Sequence, residues 1–129
     1  MAGKSDYLEN KILEHVLKNT AYTSPATVYM ALFTATPSDS GGGTEVSGSA
    51  YARTAVTFGA AASGAIANSA AVEFPVASGG NWGTITHFGI FDASSGGNLL
   101  YWAALSASKV VNDGEQFKVA IGDLDVTED

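Results

Sequence analysis

Histidines and acidic side chains are the residues of this chain best suited to catalysis or metal binding, but neither type forms a recognisable site. The two histidines, His15 and His87, lie far apart in the sequence, and neither has a second histidine at the spacing that zinc sites use. The acids fall mainly in the first helix, near turns and at the C-terminus, whereas a paired-carboxylate site needs two acids that converge in a cleft. This pattern is typical of a solvated surface.

The C-terminal acids, the serines and the glycine-rich loops are the remaining candidates for a functional site. The C-terminal segment GDLDVTED has acids at alternate positions that could bind calcium, but the order of an EF-hand and its closing glutamate are absent. No serine lies in a nucleophile elbow, and the glycines of SGGN and SGGGT lack the lysine of a phosphate-binding loop. We therefore expect no catalytic residue, no cofactor and no enzyme activity.

Three aromatic residues admit two interpretations. Trp82 precedes a predicted hairpin, and Tyr101 and Trp102 are adjacent on its second strand. Together they could form a platform on which sugars stack. They could equally lie in the core or an interface, which we favour, because adjacent strand residues face opposite ways and at least one of the pair should be buried.

Arg53 lies among apolar residues in the segment TEVSGSAYARTAVTF. Because the chain has only 6 lysines and arginines, this position is unexpected. If the strand alternates, Arg53 shares a face with Tyr51 and points away from Val56 and Phe58. One interpretation is an arginine on a solvated face. The other is an arginine that reaches a carboxylate of a neighbouring molecule, a contact that the bidentate guanidinium makes better than lysine does.

One helix is predicted, over residues 5–18. Its aliphatic residues recur at three- and four-residue spacing and should form one apolar stripe. They are Leu8, Ile12 and Val16, together with Leu13 and Leu17. Ser5 or Asp6 should cap the helix, with Asp6 and Glu9 placed as a capping-box pair.

The rest of the chain consists of short β-type runs separated by turn residues. The segment GTITHFGIFDASSGGNLLYWAAL should form a β-hairpin, and Gly122 should mark a bulge or bend in the last run. We predict a mainly β fold: an antiparallel β-sandwich of about six to eight short strands, preceded by one amphipathic helix. Residues 1–129 should form one domain, with a helical arm at 1–20 and the sandwich at 21–129.

Composition narrows the classes of partner. The formal charge is −7, from 13 acids and 6 bases, and such a surface repels nucleic-acid phosphates and anionic lipids. The chain has no cysteine, so disulfides and cysteine-ligated metals are excluded. We expect no nucleic-acid or membrane partner. We also expect synthesis in the cytoplasm, since neither a membrane-length apolar run nor a secretory signal is visible.

The chain resembles a known family in three segments: SDYLENKILEHVL, the run from TVYMALF to YARTAVTF, and WGTITHFGIFDASSGGNLLYWAAL. They are similar to small structural proteins of tailed bacteriophages, commonly labelled phage tail fibre proteins. The similarity extends over nearly the whole chain and implies a virion structural protein, with no active-site residue to carry over.

Within that class we favour a capsid decoration, or cement, protein that stabilises the head shell. The chain has neither the length nor the repeat of a fibre shaft. The expected partners are further copies of itself, with a trimer favoured, and the major capsid protein. The candidate interface residues are Tyr51, Arg53, Tyr7 and Leu8. The alternatives are a tail-associated or tail-fibre component, and a carbohydrate-binding module that uses Trp82, Tyr101 or Trp102.

Overall fold

A computed structural model describes residues 3–128 of the chain. One helix and ten strands follow each other in the order β1 (Gly3–Lys4), α1 (Asp6–Leu17), β2 (Val28–Ala35), β3 (Thr44–Glu45), β4 (Thr54–Val56), β5 (Ala65–Ala67), β6 (Val72–Glu73), β7 (Gly83–Phe91), β8 (Leu99–Val111), β9 (Lys118–Val119) and β10 (Asp125–Thr127). The predicted mainly β, antiparallel fold with one N-terminal helix is confirmed. There are more strands than expected because β1, β3, β6 and β9 have only two residues each, too few for alternation to be seen.

The main sheet is built around the predicted hairpin. Its order is β1-β8-β7-β2-β3, and β4 also pairs with β2. The hairpin loop is held by the Asp92 carboxylate, which accepts hydrogen bonds from the backbone and side-chain nitrogens of Asn98 at 2.7 and 3.0 Å. Between the pairs Ile85–Lys109 and His87–Ala104 the register shifts, so the middle of β8 bulges away from β7.

Two small antiparallel pairs, β5 with β10 and β6 with β9, complete the β structure. Their apolar residues share one hydrophobic core with one face of the main sheet, formed mainly by Met30, Leu32, Val72, Phe74, Ile85, Phe88, Val111, Phe117 and Val126. Gly122 lies in a turn between β9 and β10 with φ 84°, a value that glycine adopts without strain. This turn, rather than a bulge within one strand, divides the last β-type run.

The Asn68 side chain connects the segments around these two small strand pairs by hydrogen bonds. Its side chain is buried and donates to the carbonyls of Ala70 and Ala120 at 2.9 and 3.0 Å. Its Oδ1 accepts from the amides of Gly122 and Leu124, both at 3.0 Å. One amide side chain therefore bonds to four backbone groups, of which the Ala120 carbonyl and the Gly122 amide also have backbone partners.

Helix α1 has the predicted cap at Ser5 but differs from the prediction in its capping box and in its apolar stripe. Ser5 is the N-cap and its Oγ accepts from the Leu8 amide at 3.2 Å, so Asp6 and Glu9 do not form a capping box. Leu8 is the only buried residue of the helix. The stripe is too wide to be covered on one side, because Leu8 and Leu17 are nine residues apart, which at ~100° per residue places them on opposite sides of the helix.

Within residues 3–128, no helix is both long and apolar enough to cross a membrane.

Candidate interaction surfaces

Arg53 is held almost entirely by its own chain. Its side chain is 9% exposed, and its Nε and Nη2 donate to the two carboxylate oxygens of Glu45, each at 2.9 Å. Its Nη1 donates to the carbonyls of Ala93 and Gly96 at 3.0 and 2.7 Å. The guanidinium carbon lies 3.7 Å from the centre of the Phe91 ring. Arg53 therefore fastens the β7–β8 loop to the segment around Glu45.

Tyr51 extends this cluster into the core. Its hydroxyl donates to Glu45 Oε2 at 2.7 Å and accepts from the Leu32 amide at 3.0 Å. Its ring meets that of Trp82 edge-on, with the centres 5.3 Å apart. Burial, and secondarily the bond to Glu45, raise the pKa of the Tyr51 hydroxyl well above its usual range.

The prediction of an outward-facing Arg53 is wrong, and so is the placement of Tyr51 on that face. Strand β4 begins only at Thr54, so alternation does not extend back to residues 51–53. The carboxylate that meets Arg53 is Glu45 of the same chain, because β3 and β4 both pair with β2 and bring the two ends of this segment together.

The three candidate sugar-stacking rings do not form a platform. Trp82 is 5% exposed and its Nε1 donates to the Ser49 carbonyl at 2.9 Å, so it belongs to the core. Tyr101 is partly buried against that core and donates to Glu128 at 2.9 Å. Burial first, and this bond second, raise the pKa of Tyr101. Trp102 lies on the opposite face of β8, partly exposed, with its Nε1 donating to Asp39 at 2.9 Å.

Each histidine makes a local hydrogen-bond contact. His15 Nδ1 accepts from the Tyr22 amide at 3.1 Å, and His87 Nδ1 lies 2.8 Å from the Thr86 hydroxyl. Within residues 3–128, neither histidine belongs to a group of three or more side chains that could hold a metal ion.

In the part of the chain that the structure describes, the only carboxylates close enough to share an ion are Asp6, Glu9 and Asp39, and all three are exposed. They stand at the start of α1, which sequence spacing did not reveal because Asp39 is remote in the chain. The C-terminal acids considered for calcium do not converge within the described residues.

A cavity of about 570 Å³ lies beside these acids, between the start of α1, the glycine loop and the end of the hairpin loop. Its walls are formed by Ser5, Asp6, Tyr7, Phe33, Asp39, Ser40, Gly41, Gly42, Gly43, Glu45, Phe91, Gly97, Asn98 and Leu99. Phe33 and Phe91 stack on each other with centres 6.2 Å apart, and Arg53 covers Phe91. The cavity contains no paired nucleophile and base, and its wall is acidic.

The second half of α1 exposes a row of aliphatic side chains, which we call the α1 face. Leu13, Val16 and Leu17 are exposed by 56, 67 and 78%, and their three- and four-residue spacing makes them neighbours on the helix surface. Leu8, a candidate interface residue, is instead buried, and Tyr7 is partly exposed. The unpartnered apolar residues of the helix are therefore different from those that the sequence suggested.

A second apolar surface lies where the bulge of β8 leaves the sandwich open. This β8 groove has a volume of about 310 Å³ and is lined by Met30, Phe88, Ala103, Ala104, Leu105, Ser106, Ala107, Lys109, Phe117, Lys118, Val119, Asp123, Leu124 and Asp125. Its floor consists of core residues, and charged residues lie at its rim. Ile121, which is exposed, lies in the turn between Val119 and Asp123. Sequence periodicity did not reveal the groove, because the bulge that opens it depends on the pairing of β7 with β8.

Comparison with known families gives one match, which covers almost the whole described chain. A family model described as Podophage GP4 fiber I protein gp80 matches residues 3–127. No curated protein matches the chain. The match confirms the resemblance to a phage fibre-type structural family that the sequence motifs indicated.

Proposed function

The chain belongs to the family of Podophage GP4 fiber I protein gp80, and we propose that within this class of phage structural proteins it is a non-enzymatic decoration protein of the head. The family places it among virion-associated structural proteins. In our proposal it binds the outer surface of the head shell, with the major capsid protein as its partner, and stabilises the shell. No catalytic step is part of this function.

The observation that carries the proposal is the shape implied by the topology. The described residues surround one hydrophobic core, and most strands are short. A fibre shaft needs a repeated β or coiled-coil unit that continues along one axis. A small body with one core is better suited to occupying many equivalent positions on a lattice, where weak contacts add up through multivalency.

The start of α1 is the surface that we propose for contact with the shell. Tyr7 is partly exposed there, beside the exposed carboxylates of Asp6, Glu9 and Asp39. An aromatic ring within an acidic rim suits a partner surface with basic residues around an apolar pocket. Tyr51 and Arg53 act behind this surface by fixing Glu45, and Leu8 acts by fixing the helix.

The experiment that tests the proposal is to separate purified virions into heads and tails and to count copies of the protein in each by quantitative mass spectrometry. Many copies, confined to heads, would support decoration. A few copies confined to tails would contradict it.

A binding measurement then tests the surface. Tyr7→Ala should weaken attachment to purified head shells while Val76→Ala, a control on an exposed residue outside this surface, should not. Attachment should also weaken as salt increases, because the rim is charged. Equal binding of both variants would remove Tyr7 from the contact.

The second candidate function is a tail-associated or tail-fibre component, and the description of the matched family favours it directly. On this alternative the same small body would attach at a fibre base. The mass-spectrometric count in tails decides between the two.

A carbohydrate-binding role would now depend on Trp102, the partly exposed ring that is not part of the core. If Trp102→Ala abolished binding to host glycans while preserving the fold, recognition of sugars would replace decoration as the better explanation. Trp82→Ala is not informative for this question, because loss of a buried tryptophan would unfold the protein.

A further inference from the structure

The α1 face and the β8 groove are two apolar surfaces of one chain that cannot cover each other. The helix is fixed to the first residues of β8, where the Ser5 amide donates to the Leu100 carbonyl at 2.9 Å. The groove runs along Ala103–Lys109, and no residue of α1 lines it. Within residues 3–128, neither surface is therefore covered by the other, and exposed apolar surface of this kind is typical of a contact with another molecule.

Charged residues of both signs line the groove. Lys109 and Lys118 lie there with Asp123 and Asp125, which places at this surface two of the 6 basic residues of a chain with formal charge −7. Lys118 lies opposite Glu73 in the β6–β9 pair, whereas Lys109 lies opposite the apolar Ile85.

The helix offers the matching acids. Glu14 follows Leu13 and is three residues before Leu17, so it flanks the α1 face, and Glu9 lies one turn earlier beside Leu13. Lys18, at the end of the helix, can face Asp123 and Asp125 on the other side of the groove. An aliphatic row with an acid and a lysine beside Leu17 can pair its charges with the lysines and aspartates that line the groove.

We propose that the α1 face of one copy packs into the β8 groove of a second copy, so that the copies join head to tail. The groove, about 310 Å³, is at the small end of ligand-sized pockets, which begin at roughly 300 Å³. It would take one or two aliphatic side chains, Leu17 and Leu13, while the helix lies across its mouth. Glu14 then faces Lys118 or Lys109 of the second copy.

The symmetry of the assembly follows from the two surfaces being different. A contact between unlike surfaces is heterologous and gives a closed ring when its rotation closes, or a filament when it does not. The ring is the form consistent with the homo-oligomer, and with the trimer, that we expect for a decoration protein. The contact itself does not depend on whether the protein occupies the head or the tail.

The first test measures the mass of the purified protein in solution by light scattering and sedimentation at several concentrations. Wild type should be oligomeric, and Leu17→Glu should weaken association at least about 30-fold, the effect of losing one hot-spot contact. Leu17 is 78% exposed, so this variant should fold. Val76→Glu is the matched control, because Val76 is 48% exposed and belongs to neither surface.

The groove is tested by Leu105→Glu and, if that variant does not fold, by Lys118→Glu on an exposed lysine. Either should be monomeric. Adding Glu14→Lys to Lys118→Glu should restore association, because the pair is then reversed rather than lost. Circular dichroism and melting temperature confirm the fold of each variant.

A mixing experiment distinguishes head-to-tail contact from any symmetric one. Leu17→Glu keeps an intact groove and Lys118→Glu keeps an intact α1 face. An equimolar mixture should therefore form a complex of one copy of each and no larger species. A wild type that stays monomeric at high concentration, an unaffected Leu17→Glu, or a mixture that stays monomeric would each overturn the proposal.

Because these measurements use purified protein without particles, their failure is separate from failure of the head assignment.

Discussion

Replacing Arg53 is the perturbation that best tests how the segment from Thr44 to Phe58 is held. Arg53→Ala removes both bonds to the Glu45 carboxylate, the two bonds to the carbonyls of Ala93 and Gly96, and the contact with the Phe91 ring. The hairpin loop would lose its tie to the segment around Glu45. The protein should remain folded but be less stable.

The size of the loss follows from the exposure of the pair. Breaking a fully buried ion pair by removing one partner costs about 3–5 kcal/mol. Arg53 is 9% exposed but Glu45 is 26% exposed, so water can partly solvate the remaining carboxylate. We therefore expect the low end, about 3 kcal/mol in the free energy of unfolding for Arg53→Ala. For a chain of this size that corresponds to a fall of roughly 12 °C in melting temperature.

Arg53→Lys separates charge from geometry. Lysine keeps the positive charge but cannot make the bidentate contact with Glu45 and reach both carbonyls at once. We expect a loss of about 1.5–2 kcal/mol, between wild type and the alanine variant. If electrostatic attraction alone mattered, Arg53→Lys would match wild type.

Urea unfolding followed by tryptophan fluorescence is the assay, since Trp82 lies in the core near this cluster. Lys18→Ala removes one positive charge at an exposed helix end and should change stability by no more than about 0.5 kcal/mol. A double-mutant cycle with Glu45→Gln should show a coupling of at least about 1 kcal/mol. A loss below about 0.5 kcal/mol for Arg53→Ala, or no coupling to Glu45, would refute the reasoning.

Three other predictions follow from packing, hydrogen bonding and ionisation. Gly89→Ala should cost about 1–3 kcal/mol, because a Cβ there would lie 2.9 Å from Leu99 Cδ1; Gly59→Ala, where the nearest atoms are at 3.8 Å, is the control, and equal melting temperatures would contradict the prediction. Asn68→Ala should cost about 1–3 kcal/mol in urea unfolding, since it leaves the buried Leu124 amide without its side-chain partner, and a loss under about 0.5 kcal/mol would show that water replaces the side chain. Because the pKa of Tyr51 is raised, the folded state keeps the phenolic proton while the unfolded chain ionises near pH 10.0. The stabilisation that comes from the Tyr51 hydroxyl is therefore complete below that pH and decreases above it. Between about pH 10 and 11.5, Tyr51→Phe should lose less stability than wild type, and parallel pH profiles of the two proteins would contradict this.

Local patterns in the sequence predicted the helix, the hairpin and the fold class, because each depends on residues that are close together in the chain. Three- and four-residue spacing located α1, and the glycine-rich segment between two alternating runs located the β7–β8 turn.

The candidate surfaces could be predicted much less well, because they depend on contacts between remote parts of the chain. Arg53 meets Glu45 only after β3 and β4 have both paired with β2. Trp82 belongs to the core because it packs against residues of other segments, such as Phe74. Alternation predicted neither, since it specifies which face of a strand a side chain occupies and not what lies against that face.

The sequence alone therefore determined the β class, the single helix and the membership of a phage structural family that its motifs indicated. Only the tertiary structure decided which apolar residues are covered. Leu8 is buried and Leu17 exposed although both belong to the same periodic pattern, because one side of α1 packs on β8 and the other has no neighbour within the described chain. Periodicity records that a side chain is apolar, whereas its burial depends on whether another surface is close enough to exclude water.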